Sequence, residues 1–440
     1  MAKYGARDAA LKVMREIRNG AWVEEALDRE IEAAGLSGAD AGLCTQICCG
    51  VLQNRIGLDY MIAACSSLKM NKIAPKVLDI LRIGAYQILY LDKIPVSAAV
   101  NESVRMAKTR DNPRAGGFVN AVLRKIAEKP EIPLPENAAE RLSILTSHPK
   151  ELVELYLSYY DADTAKALLE SNNAPAPTVF RLNTLKGAPE EILREMHSEG
   201  LDAEPIPGLP AAVTVRKAGK LSEYQSFRKG LFTVQDTASQ LCAMAVGANP
   251  GEEVLDLCAA PGGKSFAMAA AMENRGGIVS CDLYADRLTY IDEGAERLGV
   301  KIIRSMPADG CAFIDRFRDR FDRVLADVPC SGFGVIRKKP DIRYKDLEDV
   351  RALPSIQAQI LHNASLYVRP GGTLVYSTCT VMPPENEEIV RAFLGTHEEY
   401  TLEPFELPII GKCDGMRTLL PTTDGTDGFF IAKMKRAEKH

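Results

Sequence analysis

Two cysteines follow apolar runs that have the length of buried strands. Cys330 stands in the segment Asp327-Val-Pro-Cys-Ser-Gly, and Cys379 stands in Ser-Thr-Cys-Thr. A cysteine is most often a small buried apolar residue, but these two stand in loops rich in Pro, Gly, Ser and Thr, where functional residues concentrate. Because the carboxyl ends of parallel strands meet at one edge of a sheet, we expect both thiols and the Asp327 carboxyl group to lie together.

A loop of small residues lies between a predicted strand and a predicted helix. It reads Cys258-Ala-Ala-Pro-Gly-Gly-Lys264 and follows the apolar run at 254–257. Small residues let backbone N–H groups approach a ligand closely at a helix N-terminus. Asp282 follows about 20 residues past the glycines, the spacing at which an acid meets ribose hydroxyls in this architecture.

Three kinds of ligand compete for this loop. A phosphate-binding P-loop needs glycine where Cys258 stands, so only the Gly-Lys-Ser ending agrees. A dinucleotide-binding loop needs G-x-G-x-x-G, which this segment lacks. An adenosyl ligand without phosphates, such as S-adenosylmethionine, fits the remaining pattern. A glycine-rich helix entry that binds no ligand stays open as the alternative.

Two thiols, a carboxyl group and a methyl donor together suit methylation at carbon 5 of a pyrimidine. That carbon is a poor nucleophile, and a thiolate that adds to carbon 6 makes it enamine-like. After methyl transfer, a base must remove the carbon 5 proton so that the thiol can leave. A second cysteine can assist this release, and a carboxyl group at the N3 edge of the ring can stabilise the charge on the adduct.

Three stretches of different pattern must position these residues. Residues 1–130 have helical periodicity, with helix stops predicted at Gly50 and near Pro130. Residues 131–235 begin with a proline-rich linker and continue as a small α+β module. Residues 236–440 alternate short apolar runs with helical stretches, which predicts a parallel, doubly wound α/β sheet. The predicted fold class is therefore multidomain: an all-α domain, a small α+β module and an α/β domain.

The overall charge argues against a protein that coats nucleic acid indiscriminately. The 440 residues include 54 Lys+Arg and 59 Asp+Glu, which gives a formal net charge of -5. Residues 101–130 nevertheless hold seven cations against three acids, and residues 335–345 hold five against one, so each segment carries +4. The second segment directly follows the Cys330 loop. Both segments predict a localised, salt-sensitive contact with nucleic-acid phosphates.

Several classes of protein are excluded by the sequence. No secretory signal and no apolar run of membrane-spanning length is visible, so we expect a cytoplasmic protein with reduced thiols. An odd count of 11 cysteines excludes a complete disulfide framework. The chain has only five histidines and no C-x-x-C pair, so we expect no metal ion. We further expect a monomer.

The sequence resembles the RNA 5-methylcytosine methyltransferase family over most of its length. The segments similar to the family are FRLNTLK (180–186), GLFTVQDTASQL (230–241), LDLCAAPGGKS (255–265), Asp327 to Ser331, YSTCTVMPPENE (376–387) and DGTDGFFIAKMKR (424–436). The N-terminal helices resemble the NusB-type RNA-binding domain, which separates one branch of the family from relatives that lack it.

The resemblance implies a Rossmann-like domain that uses S-adenosylmethionine to methylate carbon 5 of a cytosine in small-subunit (16S) ribosomal RNA. Cys379 would be the nucleophile, Cys330 the thiol that assists release, and Asp327 a contact to the base and to the methyl-donor pocket. The residues that would hold S-adenosylmethionine are Cys258, Ala259, Ala260, Pro261, Gly262, Gly263, Lys264, Asp282, Asp309 and Asp327.

Other functions stay open at this point. A transfer RNA cytosine-5 methyltransferase would have the same catalytic motifs, and only the N-terminal resemblance favours ribosomal RNA. A non-catalytic RNA-binding factor in ribosome assembly or transcription would use the NusB-like domain, and the intact cysteine pair argues against it. DNA cytosine methyltransferases use the cysteine of the Pro-Cys motif as nucleophile, which would exchange the two thiol roles here.

Overall fold

The computed structural model describes residues 4–111, 113–216 and 218–438, and these residues form two compact units. The first unit comprises the described residues up to Ala174 and a short segment from much later in the chain, Ile336–Lys345, which we call the returning segment. The second unit comprises Pro175–Val335 and the described residues from Asp346 onward. The chain therefore passes from the second unit into the first at Ile336 and re-enters the second unit at Asp346.

Nine α-helices lie in the described part of the first unit. They are α1 Ala6–Arg18, α2 Val23–Ala34, α3 Gly38–Cys65, α4 Pro75–Tyr90, α5 Val96–Arg110, α6 Ala115–Ala127, α7 Ala138–Thr146, α8 Lys150–Tyr159 and α9 Ala162–Ser171. The apolar faces of α1 to α6 form one core, in which Val13, Ile47 and Leu123 are fully buried. Residues 129–137 contain neither helix nor strand.

The predicted helix stop at Gly50 is wrong, because Gly50 lies inside the 28-residue helix α3. A Cβ atom at this position would lie 2.0 Å from Cζ of Tyr86 on α4. The glycine is therefore needed for the close contact of two helices rather than for a helix end. The sequence pattern does not distinguish these two uses of glycine.

The returning segment is fixed in the first unit by Arg343, which is only 1% exposed. Its guanidinium donates hydrogen bonds to the carbonyl of Gln53 at 2.7 Å, the carbonyl of Ser147 at 3.0 Å and Oδ1 of Asn173 at 3.1 Å. Burial lowers the pKa of Arg343 to about 10. The prediction that the cations of 335–345 contact RNA is therefore wrong for Arg343, which faces the interior.

A four-stranded antiparallel sheet begins the second unit, in agreement with the predicted α+β module. Its elements are β1 Thr178–Leu182, α10 Pro189–Ser198, β2 Asp202–Ile206, β3 Leu209–Arg216, α11 Gln225–Arg228 and β4 Phe232–Val234. The strand order is β2-β3-β1-β4. Phe180 on β1 and Phe232 on β4 stack with ring centroids 4.8 Å apart, and this stack forms part of the core of the module.

An eight-stranded sheet forms the centre of the remaining part of the second unit. The helices there are α12 Thr237–Val246, α13 Gly263–Ala271, α14 Leu288–Leu298, α15 Leu347–Tyr367 and α16 Glu387–Leu394. The strands are β5 Glu253–Asp256, β6 Gly277–Asp282, β7 Ile303–Pro307, β8 Phe321–Asp327, β9 Val368–Thr378, β10 Tyr400–Leu402, β13 Met416–Leu419 and β14 Phe429–Arg436; β11 Phe405–Leu407 and β12 Gly411–Cys413 form a separate pair.

The predicted parallel sheet is confirmed for β5 to β9, which pair in the order β9-β8-β5-β6-β7. The sheet as a whole is mixed, because β14 pairs antiparallel with β9 and also with β10 and β13. The order reverses between β5 and β8, and in doubly wound sheets ligands bind at the carboxyl ends of the strands at this point. The loops after β5, β8 and β9 carry the residues singled out above.

Candidate active site

The side chains of Cys330 and Cys379 meet beyond the ends of β8 and β9. Their Sγ atoms lie 3.2 Å apart, and the backbone N–H of Cys379 donates to Sγ of Cys330 at 3.3 Å. Hydrogen bonding with Cys379, burial and the nearby carboxylate of Glu385 raise the pKa of Cys330 well above its ordinary value. Cys330 is therefore a neutral thiol at physiological pH, in a position to exchange a proton with its neighbour.

A buried carboxylate ties the two cysteine loops together. Glu385 is 2% exposed, and its Oε2 accepts hydrogen bonds from the backbone N–H of Ser331 at 2.8 Å and from Nε2 of Gln357 at 2.9 Å. The hydroxyl of Ser331 donates to Oγ1 of Thr380 at 2.7 Å. The residue that follows each cysteine thus belongs to one hydrogen-bond network, which fixes the two thiols relative to each other.

A glycine contact also holds these loops. The backbone N–H of Gly334 donates to the carbonyl of Cys379 at 3.0 Å, and the N–H of Gly428 donates to the carbonyl of Gly334 at 2.9 Å. A Cβ atom at Gly334 would lie 1.9 Å from the carbonyl oxygen of Gly428. Only glycine allows this approach of the loop after Cys330 to the strand that pairs with β9.

Asp327, the last residue of β8, is held between two donors. Its Oδ2 accepts from Nζ of Lys264 at 2.6 Å, and its Oδ1 accepts from Oγ of Ser377 at 2.7 Å. Burial disfavours the charge of Lys264, but attraction to the carboxylate of Asp327 outweighs it and raises the pKa of Lys264. The pair therefore places a fixed cation and a fixed carboxylate at the end of β8.

The small-residue loop packs against the end of β6. The backbone N–H of Ala260 donates to Oδ2 of Asp282 at 3.1 Å. The other oxygen of Asp282 accepts from the N–H of Tyr284 at 3.2 Å and lies 3.5 Å from the guanidinium of Arg287. Burial and nearby carboxylates raise the pKa of the Cys258 thiol well above its ordinary value. The thiol therefore stays neutral, and we expect Cys258 to contribute its backbone groups to the site.

A cavity of about 170 Å³ lies between this loop and Asp327. Its lining residues are Val234, Gln235, Asp236, Ser239, Asp256, Ala259, Ala260, Pro261, Gly263, Lys264 and Asp327. Gln235 is 5% and Asp256 1% exposed, yet Nε2 of Gln235 and Oδ1 of Asp256 have no hydrogen-bond partner among the described residues. Burial raises the pKa of Asp256 to about 7. Because buried polar atoms are normally paired, this cavity is suited to a polar ligand.

Some of the predicted residues lie outside this cavity. Asp309 follows β7 and is exposed, and its Oδ1 accepts from the backbone N–H of Cys311 at 2.9 Å. Cys258, Gly262 and Asp282 flank the cavity without lining it, and the cysteine pair lies outside its lining as well.

Five residues of the site were not singled out from the sequence. They are Gln235, Asp256, Gln357, Ser377 and Glu385. Ser377 and Glu385 could have been found by their place in the segment that carries Cys379, whereas nothing in the sequence around Gln357, inside a 21-residue helix, indicates its contact with Glu385.

Two further properties concern the described residues as a whole. Among them, no group of three or more His, Cys, Asp or Glu side chains could hold a metal ion. None of the helices described above is both long enough and apolar enough to cross a membrane.

Comparison with known proteins assigns all three parts of the chain. A family model described as "16S rRNA methyltransferase RsmB/F" matches residues 243–435. The NusB family matches residues 5–128, and the ferredoxin-like domain of RsmF/B-like methyltransferases matches residues 148–222.

The similarity to individual proteins extends over the whole chain. A probable ribosomal RNA small subunit methyltransferase B from Bacillus subtilis (strain 168) is 38% identical over 99% of this chain and 100% of its own length. A protein with the same description from Synechocystis sp. is 32% identical over 98% of this chain and 99% of its own length.

Two solved structures are similar as well. The crystal structure of PH0851 has a TM-score of 0.83 at 26% identity and covers 98% of each chain. A methyltransferase homologue from Pyrococcus horikoshii has a TM-score of 0.60 at 26% identity and covers 69% of this chain and 100% of its own. With its NusB-type helices, ferredoxin-like module and paired cysteines, this chain belongs to the ribosomal RNA small subunit methyltransferase B family.

Proposed function

We propose that this protein transfers a methyl group from S-adenosylmethionine to carbon 5 of a cytosine in 16S ribosomal RNA, through a covalent adduct of Cys379 at carbon 6. The observation that carries the proposal is the 3.2 Å contact between the Sγ atoms of Cys330 and Cys379 at two adjacent strand ends. The names of the relatives, which share this chain's full length, support ribosomal RNA as the substrate.

The cavity beside the small-residue loop has side chains that suit the amino-acid end of S-adenosylmethionine. Lys264 suits the carboxylate of the ligand, and Asp256 and Asp327 suit its ammonium group. We assign the ribose to Asp282, the last residue of β6, and the adenine to Asp309, which follows β7. When bound, this cofactor supplies an electrophilic methyl group on a sulfonium.

The side chains of this protein would act on the cytosine in sequence. The thiolate of Cys379 adds to carbon 6, a C–S bond forms, and the electrons of the ring double bond move toward carbon 5. Asp327, held by Lys264 and Ser377, accepts a hydrogen bond from the 4-amino group beside N3, and from N3 itself once that nitrogen is protonated in the adduct, and so stabilises the adduct.

Release of the product needs a proton transfer. After methylation, carbon 5 carries both a hydrogen and the methyl group. Loss of that proton to a base restores the double bond, breaks the C–S bond and returns the Cys379 thiolate. Cys330, kept as a thiol within 3.2 Å of Cys379, is placed to carry a proton in this step.

The two cysteine variants test these roles. We expect Cys379→Ala to lose methyl transfer and to form no RNA adduct. We expect Cys330→Ala to complete the first half of the reaction and to accumulate a protein–RNA adduct that survives a denaturing gel. Near-normal turnover by Cys379→Ala, or an adduct with that variant alone, would show that the roles are exchanged.

A methyl-transfer assay tests the substrate. Labelled S-adenosylmethionine is incubated with the protein and with ribosomal RNA or transfer RNA, and 5-methylcytosine is mapped in the product. We expect transfer to 16S ribosomal RNA. Transfer to transfer RNA alone would support the second substrate class, and transfer to neither RNA would support a non-catalytic binding factor.

The division of labour along the chain is part of the proposal. We assign RNA binding to residues 1–130 and to the linker and module of 131–235, and methyl transfer to residues 236–440. We also propose that the protein acts as a monomer in the cytoplasm, where its substrate is made. Light scattering on the purified protein, alone and with RNA, tests the monomer.

A further inference from the structure

A second cavity, of about 420 Å³, lies in the first unit beside the only tryptophan of the chain. Its wall includes residues of α1, α3, α4 and the returning segment. Trp22, directly before α2, is 47% exposed. The volume lies within the range of about 300–1,000 Å³ that is usual for small-molecule sites. No residue of this wall has a role in the proposed methyl transfer.

The wall of this cavity is positively charged. Four cations stand against two carboxylates, a net charge of +2: Arg18, Arg55, Arg82 and Lys345 against Asp79 and Asp341. Asp79 is buried and pairs with both Arg18 and Arg82. Arg82 also pairs with Asp59, which lies outside the wall, through two hydrogen bonds of 2.7 Å, so the wall together with Asp59 carries a net charge of +1.

Arg55 differs from the other arginines of this wall. No carboxylate of the described residues lies within 4 Å of its guanidinium, which instead lies 4.1 Å from the centre of the Tyr344 ring. The hydroxyl of Tyr344 donates to the carbonyl of Leu52 at 2.7 Å, which fixes the ring beneath the guanidinium. Arg55 is thus a pre-positioned cation that is available to an anion from solution.

Trp22 supplies a flat apolar surface at the same place. The ammonium of Lys345 lies 5.9 Å from the centre of its ring. Unstacked bases of RNA bind by stacking on aromatic rings and guanidinium planes, while nearby cations hold the phosphate. The exposed indole of Trp22 can stack with a base, and the guanidinium of Arg55 can bind a phosphate. The cavity therefore offers a surface for both parts of a nucleotide.

A neighbouring cavity has a negatively charged wall, in contrast to the positively charged wall of the larger cavity. It measures about 280 Å³ and also has Trp22 in its wall. Its cations, Lys339 and Lys345, stand against three carboxylates, those of Glu24, Glu25 and Asp341, and Lys339 pairs with Glu24 at 2.8 Å. A phosphate would be repelled on that side, which leaves the larger cavity as the site for an anion.

We propose that the larger cavity binds one unstacked nucleotide of single-stranded RNA, with its base on Trp22 and its phosphate on Arg55. This nucleotide is distinct from the cytosine that reacts. The inference rests on the proposed RNA binding by residues 1–130 but not on methyl transfer, because every residue that carries it belongs to the first unit. It assigns a ligand to a surface of the NusB-type part of the chain.

The single tryptophan makes the test local. Tryptophan fluorescence of the full-length protein is recorded while a short single-stranded RNA oligonucleotide is added, and we expect saturable quenching. Arg55→Gln should weaken the binding seen by quenching about tenfold and lower the slope of log K against log salt by about 0.7. Binding of a labelled oligonucleotide to Trp22→Ala should be about fivefold weaker or more, since stacking on an aromatic ring is lost.

Lys339→Gln is the matched control, because it removes one cation of the same returning segment from the acidic cavity. We expect it to bind the oligonucleotide like the unaltered protein. Melting temperatures of all variants show whether they are folded, and all titrations are carried out without S-adenosylmethionine, so that they measure binding and not methyl transfer. Failure of methyl transfer is thereby separated from failure of this site.

Four results would overturn the proposal. They are absence of quenching by the oligonucleotide, unchanged affinity in folded Trp22→Ala, equal binding of free cytidine monophosphate, and equal quenching by a duplex of the same length. The third result would assign the cavity to free nucleotides, and the fourth would exclude an unstacked base.

Discussion

Among single residues, Glu385 links the two thiols most directly. Its Oε2 receives two hydrogen bonds, its Oε1 has no partner among the described residues, and its charge contributes to the raised pKa of Cys330. A buried carboxylate without an ion-pair partner is costly. We interpret Glu385 as a positioning residue that fixes both cysteine loops and keeps Cys330 protonated.

Replacing the charge of Glu385 should change how activity depends on pH. In Glu385→Gln the pKa of Cys330 falls, so Cys330 loses its proton at a lower pH and the alkaline limit of activity moves down. We expect kcat to fall about tenfold, a barrier change of about 1.4 kcal/mol. The measurement is a pH–rate profile of methyl transfer. Exposed Glu388→Gln is the control, and a rate lowered equally at every pH would indicate a structural effect alone.

The raised pKa of Asp256 predicts a second effect, on stability. Between its ordinary value of 3.8 and about 7, the folded protein keeps a proton that the unfolded chain releases. The free energy of unfolding therefore falls as the pH rises through this window and stays lower above it. Asp256→Asn cannot ionise, and its amide oxygen can still accept from Oγ of Ser265.

We therefore expect Asp256→Asn to be more stable than the unaltered protein at about pH 8, by up to about 4 kcal/mol. The difference should shrink toward about pH 4, where Asp256 is protonated in the folded state. Urea unfolding at several pH values measures this, with exposed Asp286→Asn as the control. A difference that is the same at all pH values would contradict the explanation.

At the scale of elements, the ends of strands were predictable and the interior of the longest first-unit helix was not. Asp327, Cys330 and Cys379 were placed correctly because a strand followed by Pro, Gly or Thr has an unambiguous end. The sequence predicts a helix end at Gly50, but this glycine lies inside α3 because Tyr86, which is distant in sequence, packs against it. The sequence also does not predict that β14 is antiparallel, because an apolar run indicates a strand but not the direction in which it runs.

Two glycines of the same helix test this explanation of α3. Gly50→Ala should lower the free energy of unfolding by about 2 kcal/mol or more, because its Cβ would overlap the ring of Tyr86. Gly42→Ala, whose Cβ would meet nothing within 4 Å, should stabilise by about 0.5–1 kcal/mol through helix propensity. Denaturant unfolding measures the free energy of unfolding of both variants. Equal changes in the two variants would contradict the explanation that Gly50 is required by packing against Tyr86.

For the molecule as a whole, the net charge of -5 hides an uneven distribution. The two basic segments are predicted to contact RNA, but some of their cations make contacts within the protein instead. Arg343 holds backbone carbonyls, and Arg105 and Arg110 both pair with Asp8. Counting charges along the sequence could not separate these from Arg55, because pairing is decided by residues far away in the chain.

Arg343 should contribute strongly to the stability of the first unit. Arg343→Met removes the hydrogen bonds to the carbonyls of Gln53 and Ser147 from a buried site, and we expect a loss of at least about 2 kcal/mol. Trp22 fluorescence during urea unfolding reports this unit directly. Arg29→Met removes an exposed arginine that pairs only with Glu16, and it should change stability by less than about 0.5 kcal/mol.

The returning segment has a consequence for synthesis on the ribosome. The helices of the first unit are complete at Ala174, but Arg343 follows about 170 residues later. At about 5–20 residues per second, a nascent chain waits on the order of 10–30 s before this arginine can reach its carbonyls. During that interval the first unit is an unfinished folding intermediate, and a chain cut short before Ile336 would never complete it.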